Sequence, residues 1–215
     1  MAKNKQSTRE KSFRDSTIWE YIKTFAFAFV LVFGFMRPFV VEGFSIPSSS
    51  MENTLLIGDR IFVSKFAYGI KIPGTKHRIL AFQEPEVGDI FVFDPPPAAG
   101  KTQKFVKRLV GVEGDTIEIR NGELYRNGKR VTDEDYIKRI NRSPLRYQNF
   151  GPVTVPEDHV FAMGDNRDLS SDSRAWGFVP VEDIAGRAFI RYWSWDKNAN
   201  WFHKIRFSRI GRPLS

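Results

Sequence analysis

The sequence of 215 residues contains no cysteine and only three histidines, His77, His159 and His203. Without cysteine the chain has no disulfide framework and no thiolate zinc site. The histidines are scattered and show neither His-x-x-x-His nor Glu-x-x-His spacing, which disfavours a metallohydrolase. Glycine-rich phosphate-binding loops are absent as well. We therefore expect no metal site, and any catalytic chemistry has to use other side chains.

The composition supplies a large excess of positive charge. Lysine and arginine number 33 against 25 aspartates and glutamates, which gives a formal net charge of +8. Such an excess favours binding to phosphate groups, either of nucleic acid or of an anionic membrane surface, and composition does not choose between them. The aromatic content of 14% is typical of a folded chain, and the length suits one domain with its own hydrophobic core.

The N-terminal region has the charge pattern of a membrane anchor. Residues 1–23 carry six basic and three acidic side chains, whereas residues 24–36 carry no charge. The apolar run is shorter than the about 20 residues that cross a bilayer, but it resumes after Arg37 and Pro38. We predict a transmembrane anchor over residues 24–41, a basic cytoplasmic tail over 1–23 by the positive-inside rule, and residues 42–215 on the outer side.

Two alternatives to the anchor remain open. A cleaved signal peptide would have the same charge pattern and a similar apolar length, but no small-residue cleavage site follows this run. A buried core helix would be apolar on one face, whereas phenylalanines lie all round this one, which suits lipid better.

From residue 42 onward, short apolar runs alternate with turn residues, a pattern typical of an all-β domain. The runs that predict strands are 60–66, 90–93, 105–112, 116–119 and 188–193. Asn-Gly pairs at 121–122 and 127–128 predict a small β-ribbon within an insert over residues 116–153, and residues 133–150 are expected to form a loop. The predicted fold is mainly β: an N-terminal transmembrane helix followed by an extracytoplasmic all-β domain with this insert.

The C-terminal stretch, residues 187–215, contains seven basic residues, one acidic residue and three tryptophans. This composition suits a position near lipid headgroups. An ordinary solvated end of the domain is an equally open interpretation.

Two residues are candidates for catalysis. Ser50 closes the run Pro47-Ser48-Ser49-Ser50, and a serine becomes a nucleophile when a nearby base takes its proton, a role that lysine fills in some enzymes. Lys107 lies in the most apolar predicted strand, on the same face as Phe105 and Leu109, where burial lowers the pKa of a lysine and makes its amine a base. Taken singly, Ser50 also fits a turn or helix cap, and Lys107 a charge that protects an edge strand.

A third segment, residues 164–174, is dense in Asp, Asn, Arg and Ser. Alternating acids and arginines indicate a rigid loop held by ion pairs and hydroxyl hydrogen bonds. A calcium loop is the alternative, but the spacing of Asp165, Asp168 and Asp172 does not match an EF-hand loop, and two arginines oppose cation binding.

These three segments, PSSSMENTLLIGDRIFVSKFAYG, FVKRLVGVEGD and GDNRDLSSDSRAWGFVP, follow the apolar run in that order. The combination resembles bacterial type I signal peptidase, the membrane-bound Ser-Lys endopeptidase that removes signal peptides from exported preproteins. The resemblance covers nearly the whole chain after residue 18. A single motif such as Pro-Ser-x-Ser-Met is moderately specific, whereas the three together are highly specific.

The resemblance implies roles for individual residues. Ser50 matches the nucleophile and Lys107 the general base, while Ser48 matches the hydroxyl that joins the Ser50 N–H in binding the oxyanion. Ser170 matches the serine that hydrogen-bonds and orients the lysine amine. The residues that match the supporting ion-pair scaffold are Asp165, Arg167, Asp172 and Arg174.

The resemblance also implies substrate, partners and location. Shallow apolar pockets would accept small residues at positions −1 and −3 of a signal peptide bound as an extended strand, without a cofactor. The residues at the matching positions are Phe44, Ile46, Met51, Leu55, Phe105 and Val106. The implied partners are preprotein signal peptides and the phospholipid membrane, with no nucleic acid. The implied location is the bacterial cytoplasmic membrane, crossed once, with the N-terminus in the cytoplasm and the catalytic domain on the outer face.

Three residues depart from the family pattern. Asn53 stands where a proline is usual, Leu169 where an asparagine is common, and Ala175 where an aromatic residue is frequent. Asn53 raises the largest question, because a proline would stiffen the turn after Ser50.

Two other functions remain alternatives. A Ser-Lys self-cleaving repressor shares this chemistry but carries an N-terminal DNA-binding domain, where this chain has an apolar run. A membrane-tethered binding module would use the basic surface without catalysis.

Overall fold

In a computed structural model, the protein is described at residues 17–36, 41–71, 78–79, 83–100, 102–132, 135–137 and 148–214. The chain divides into two compact units, Met1–Val40 and Val41–Ser215. The division falls one residue before the predicted end of the anchor, because Val41 already belongs to a strand.

The first unit is helical where it is described. Helix α1, Thr17–Phe29, continues as a π-helical segment, Val30–Met36. The ammonium of Lys23 lies 2.6 Å from the carboxylate of Glu20 one turn earlier, a pairing that supports the first turns of α1. The helix therefore begins before the predicted anchor, within the segment predicted as the tail.

No helix among the described residues has both the length and the apolar character needed to cross a membrane. The predicted anchor over 24–41 is thus not found as a spanning helix. Residues 1–16 of the predicted tail and residues 37–40 of the predicted anchor lie outside the described part. The apolar side chains of this unit are exposed, among them Phe25, Phe27, Phe29 and Val30.

The second unit confirms the prediction of a mainly β domain. Its main sheet has eight antiparallel strands in the order β1-β2-β13-β5-β6-β11-β12, with β14 paired to β13. These strands are β1 Val41–Ser45, β2 Asp59–Ser64, β5 Ile90–Phe93, β6 Phe105–Gly111, β11 His159–Met163, β12 Val179–Pro180, β13 Ile184–Ser194 and β14 Arg212–Pro213. Strands β3, Ile70–Lys71, and β4, Arg78–Ile79, pair antiparallel, and a helical turn, α2, spans Ser173–Trp176.

The insert is larger than the predicted ribbon. It forms a four-stranded sheet in the order β10-β7-β8-β9, with β7 Thr116–Arg120, β8 Glu123–Arg126, β9 Lys129–Arg130 and β10 Phe150–Thr154. The two predicted Asn-Gly turns join β7 to β8 and β8 to β9, and Asn121 and Asn127 both adopt positive φ, as such turns require. Strand β10 begins at the end of the predicted loop and returns beside β7.

The hydrophobic core supports the site from two sides. One buried cluster packs Phe91, Phe93 and Leu109 against Trp176 of α2. A second packs Ile46, Met51 and Leu55, which follow β1, against residues of β2, β5 and β13. Strand β6, which carries Lys107, lies between β5 and β11 and contributes side chains to both clusters, Leu109 to the first and Val106 to the second.

Candidate active site

The structure brings Ser50 and Lys107 together across 57 positions of sequence. The amine of Lys107 donates a hydrogen bond of 2.7 Å to Ser50 Oγ, and lies 3.2 Å from the carbonyl oxygen of Val106. Lys107 is only 3% exposed, and its amine lies 5.3 Å from the centre of the Phe105 ring. This arrangement places a buried amine in contact with a half-exposed hydroxyl.

Ser48 lies on the exposed side of Ser50. The two hydroxyl oxygens are 3.5 Å apart, at the limit of a hydrogen bond. The predicted oxyanion hydroxyl is therefore beside the predicted nucleophile.

The main chain at Ser50 is held by residues that the sequence interpretation did not assign. The N–H of Asn166 donates to the carbonyl oxygen of Ser50 at 3.1 Å, and its side-chain amide donates to that of Ser49, also at 3.1 Å. A Cβ added at Gly164 would collide with Ser50 O and Ser170 Oγ and lie 2.6 Å from Ser170 Cβ. In the sequence, the motif Gly-Asp-Asn marks both Gly164 and Asn166, and its glycine permits this close approach.

Ser170 is in place, but its predicted hydrogen bond is not formed. Its hydroxyl is buried and has no hydrogen-bond partner among the described residues. The amine of Lys107 donates instead to Ser50 Oγ.

Asp165 belongs to the predicted scaffold, and its partner is Arg108. The guanidinium of Arg108 binds the carboxylate through two hydrogen bonds of 2.9 Å, and Thr54 Oγ1 donates to the same carboxylate at 2.5 Å. Both charged side chains are almost completely buried. Sequence reasoning missed Arg108, although strand alternation places it on the opposite face from Lys107.

Asp172 and Arg174 form the second buried pair. Arg174 donates from Nε and Nη2 to the two carboxylate oxygens, at 2.8 Å each, and the N–H of Gly164 donates to Asp172 at 3.1 Å. Burial alone would raise the pKa of Asp172, but the hydrogen bonds and charge of Arg174, with the Gly164 N–H, outweigh it and lower the pKa. Arg174 also donates to the carbonyl oxygen of Arg167, so these three scaffold residues lie together.

The calcium-loop alternative finds no support in this geometry. The carboxylates of Asp165 and Asp172 accept hydrogen bonds from arginines, and no three acidic or histidine side chains within the described ranges are grouped to hold a metal ion.

Residues 51–58, which we call the 51–58 loop, are fixed at several points. Asn53 adopts a φ of 103° and donates to the carbonyl oxygen of Tyr136 at 3.0 Å. Arg209 donates to the carbonyl oxygen of Thr54 at 2.9 Å and to the carboxylate of the buried Asp59 at 2.8 Å. A C-terminal residue therefore holds the loop that follows Ser50.

Ser50 and Lys107 open into a groove of about 710 Å³, which we call the active-site groove. Of the six residues predicted to form substrate pockets, five line it: Phe44, Ile46, Met51, Phe105 and Val106. The prediction for Leu55 is wrong, because its side chain is fully buried in the core and does not line the groove. Gln103, Lys104, Leu169 and Ser171 also line the groove and were not predicted to do so.

Comparisons with known proteins agree with one another. A family model described as "Signal peptidase, peptidase S26" matches residues 18–193. A probable signal peptidase I-2 from Synechocystis sp. is 40% identical over 87% of this chain and 78% of its own length. Signal peptidase I from Leptolyngbya laminosa is 39% identical, over 83% of this chain and 81% of its own. Signal peptidase I from Pseudomonas aeruginosa is 34% identical, over 94% and 81%.

Proposed function

The chain belongs to the peptidase S26 family and is a signal peptidase, and from this premise we propose that it cleaves by a Ser50–Lys107 dyad. The observation that carries the proposal is the 2.7 Å hydrogen bond between the buried Lys107 amine and Ser50 Oγ. Family membership contradicts the alternative of a non-enzymatic binding module. It also favours cleavage of signal peptides over self-cleavage as the reaction.

The first half of the proposed reaction forms an acyl-enzyme. The neutral amine of Lys107 takes the proton of Ser50 Oγ as that oxygen attacks the carbonyl carbon of the scissile bond. Negative charge develops on the carbonyl oxygen, which the Ser50 N–H and the Ser48 hydroxyl would stabilise. The ammonium of Lys107 then returns its proton to the leaving amine, and the peptide bond breaks.

In the second half, Lys107 takes a proton from a water molecule that attacks the acyl ester. The ester bond breaks, Ser50 recovers its proton from the lysine, and the signal peptide leaves as a carboxylate. This cycle needs an amine that is neutral at working pH. The burial of Lys107 supports that requirement, because an environment with little water disfavours the charged form of an amine.

The proposal gives Ser170 a part in the second half. Once Ser50 Oγ is acylated, the Lys107 amine needs another partner to fix its direction. The buried hydroxyl of Ser170 has no hydrogen-bond partner among the described residues. It would accept a hydrogen bond from the Lys107 amine, which would satisfy both groups.

The lining of the active-site groove is consistent with the proposed preference for small substrate residues at positions −1 and −3. This lining combines Ser50 with the apolar side chains of Phe44, Ile46, Phe105 and Val106. Strand β1 lies at the edge of the main sheet, where an extended peptide can add main-chain hydrogen bonds.

We also propose that the first unit attaches the enzyme to the bacterial cytoplasmic membrane, with the catalytic unit on the outer face. Its exposed apolar side chains support this, since Phe25 and Phe27 are 74% and 69% exposed. The basic residues before them favour a cytoplasmic N-terminus.

The test uses the full-length chain in detergent micelles and a preprotein with alanine at −3 and −1. We expect Ser50→Ala and Lys107→Ala each to lower kcat/KM by about 10⁴-fold or more, since each removes one half of a unit that acts together. Ser208→Ala and Lys129→Ala make the same chemical changes at exposed positions and should leave the rate unchanged. Substantial cleavage by either dyad variant contradicts the assignment.

A further inference from the structure

Lys104 lines the active-site groove but has no part in the dyad. It directly precedes β6, three positions before Lys107, and lines the groove together with Gln103, Phe105 and Val106. Because side chains alternate along an extended chain, Lys104 shares a face with Val106, which packs against the cluster of Ile46 and Met51. The groove that holds Ser50 and Lys107 is therefore lined by a second lysine.

The charge of Lys104 is held in place by Asp94. Phe93 at the end of β5 pairs with Phe105 at the start of the antiparallel β6, so Asp94, which follows β5, meets Lys104, which precedes β6. The ammonium of Lys104 donates to both carboxylate oxygens of Asp94, at 2.7 and 2.8 Å. Asp94 itself does not line the groove. The groove thus contains the ammonium of Lys104, which is held in place by a carboxylate that does not line the groove.

The ammonium keeps the capacity to bind a substrate group. Its side chain is 33% exposed, and within the described ranges Asp94 is the one side chain to which it donates. An ammonium has three N–H donors, and the carboxylate engages two. The third donor remains for an acceptor in the groove.

The position of a substrate residue near Lys104 follows from strand geometry. Residues of an extended chain advance by about 3.3 Å, so Lys104 lies about 10 Å along β6 from Lys107. Phe44 and Phe105, two of the residues proposed to form the −1 and −3 pockets, line the same groove as the dyad and Lys104. A substrate strand that continues past −3 reaches Lys104, and the next side chain to point towards the groove floor is −5.

We propose that Lys104 is a specificity-determining residue that favours an acidic side chain at position −5 of the signal peptide and disfavours a basic one. This inference rests on the proposed function and adds a charge-reading position to the same groove. A carboxylate at −5 accepts a hydrogen bond from the ammonium, whereas a lysine there meets a like charge. Asp94 moderates the effect, since it screens part of the ammonium's charge.

The experiment compares three preprotein-derived peptides that differ only at −5, with glutamate, glutamine or lysine, and measures kcat/KM with the full chain in uncharged micelles. For wild type we expect glutamate to exceed lysine by about two- to fivefold, the range of a solvent-exposed charge pair, with glutamine between them. Raising the salt to about 1 M should reduce the difference, because the screening length falls to about 3 Å.

The variants isolate Lys104 as the cause. Lys104→Gln should make the glutamate and lysine peptides equal, and Lys104→Glu should reverse their order. Asp94→Asn should widen the wild-type difference, because it removes the screening carboxylate. Lys129→Glu is the matched control, since it makes the same charge change on exposed β9 in the other sheet and should keep the wild-type order.

The results separate two failures. If wild type does not cleave the glutamine peptide, the proposed function fails and this inference with it. If it cleaves all three peptides equally, or if Lys104→Gln retains the wild-type order, cleavage stands and the assignment of Lys104 is overturned.

Discussion

Gly164→Ala tests how closely the active-site geometry depends on one missing methyl group. The added Cβ would lie 2.6 Å from Ser170 Cβ and closer still to Ser170 Oγ and the carbonyl oxygen of Ser50. Carbon atoms in contact prefer about 3.5–4.0 Å, so the segments have to separate by about 1 Å. The backbone at Gly164 is not in the left-handed region, so the added methyl group itself is the perturbation.

The displacement has two separate costs. Overpacking of a filled site costs about 1–3 kcal/mol of folding free energy. A misplacement of about 1 Å between reacting groups costs about 100-fold in rate. Because a Cβ at Gly164 would meet both the carbonyl of Ser50 and the side chain of Ser170, the shift falls on the proposed dyad. We expect kcat/KM to fall about 100-fold in a protein that remains folded.

The assay pairs peptide cleavage with thermal unfolding of the full chain. Gly34→Ala is the matched control, because the same methyl group there meets ordinary contact at 3.7 Å from Val30 and should leave cleavage unchanged. If Gly164→Ala cleaves within threefold of wild type at an unchanged melting temperature, the close approach at Gly164 does not set the dyad geometry.

Two further predictions concern stability. The pKa of Asp172 is lower in the folded than in the unfolded state. Its contribution to the free energy of unfolding is therefore complete above the unfolded-state pKa and is lost as pH falls through the folded-state pKa. Urea unfolding from about pH 5 downward should show a weaker pH dependence for Asp172→Asn than for wild type. Asn53→Pro should cost more than about 1 kcal/mol in the same assay at pH 7, because proline fixes φ near −65° and Asn53 has 103°. Asn53→Gly should cost less, and equal costs would mean that φ is not the cause.

The sequence predicted the β domain well because its signals are local. Apolar runs bounded by turn residues marked β5 to the residue, and β6 to within one. The hairpin turns at Asn121 and Asn127 follow from chemistry that two adjacent residues carry. Strand β10 has no such marker, since its partner is β7, more than 30 positions earlier, and pairing at that distance leaves no local pattern.

The site shows the same limit. The proximity of Ser50 to Lys107 was expected from a family resemblance, not from their spacing of 57 positions. Burial explains the two misjudged side chains. Leu55 matched a pocket position but packs wholly into the core, and Arg108, for which the sequence suggested no role, pairs with the buried Asp165. Neither outcome can be predicted from the neighbouring residues, because both depend on contacts between segments that are distant in sequence.

The hydrogen bond from Arg209 to the carbonyl of Thr54 joins residues 155 positions apart. During synthesis, Ser50 and Lys107 leave the ribosome well before Arg209, so the 51–58 loop lacks this support while the rest of the β domain is being made. A protease assembled in this order acquires its full active-site geometry only after Arg209 has been made and has bound the 51–58 loop.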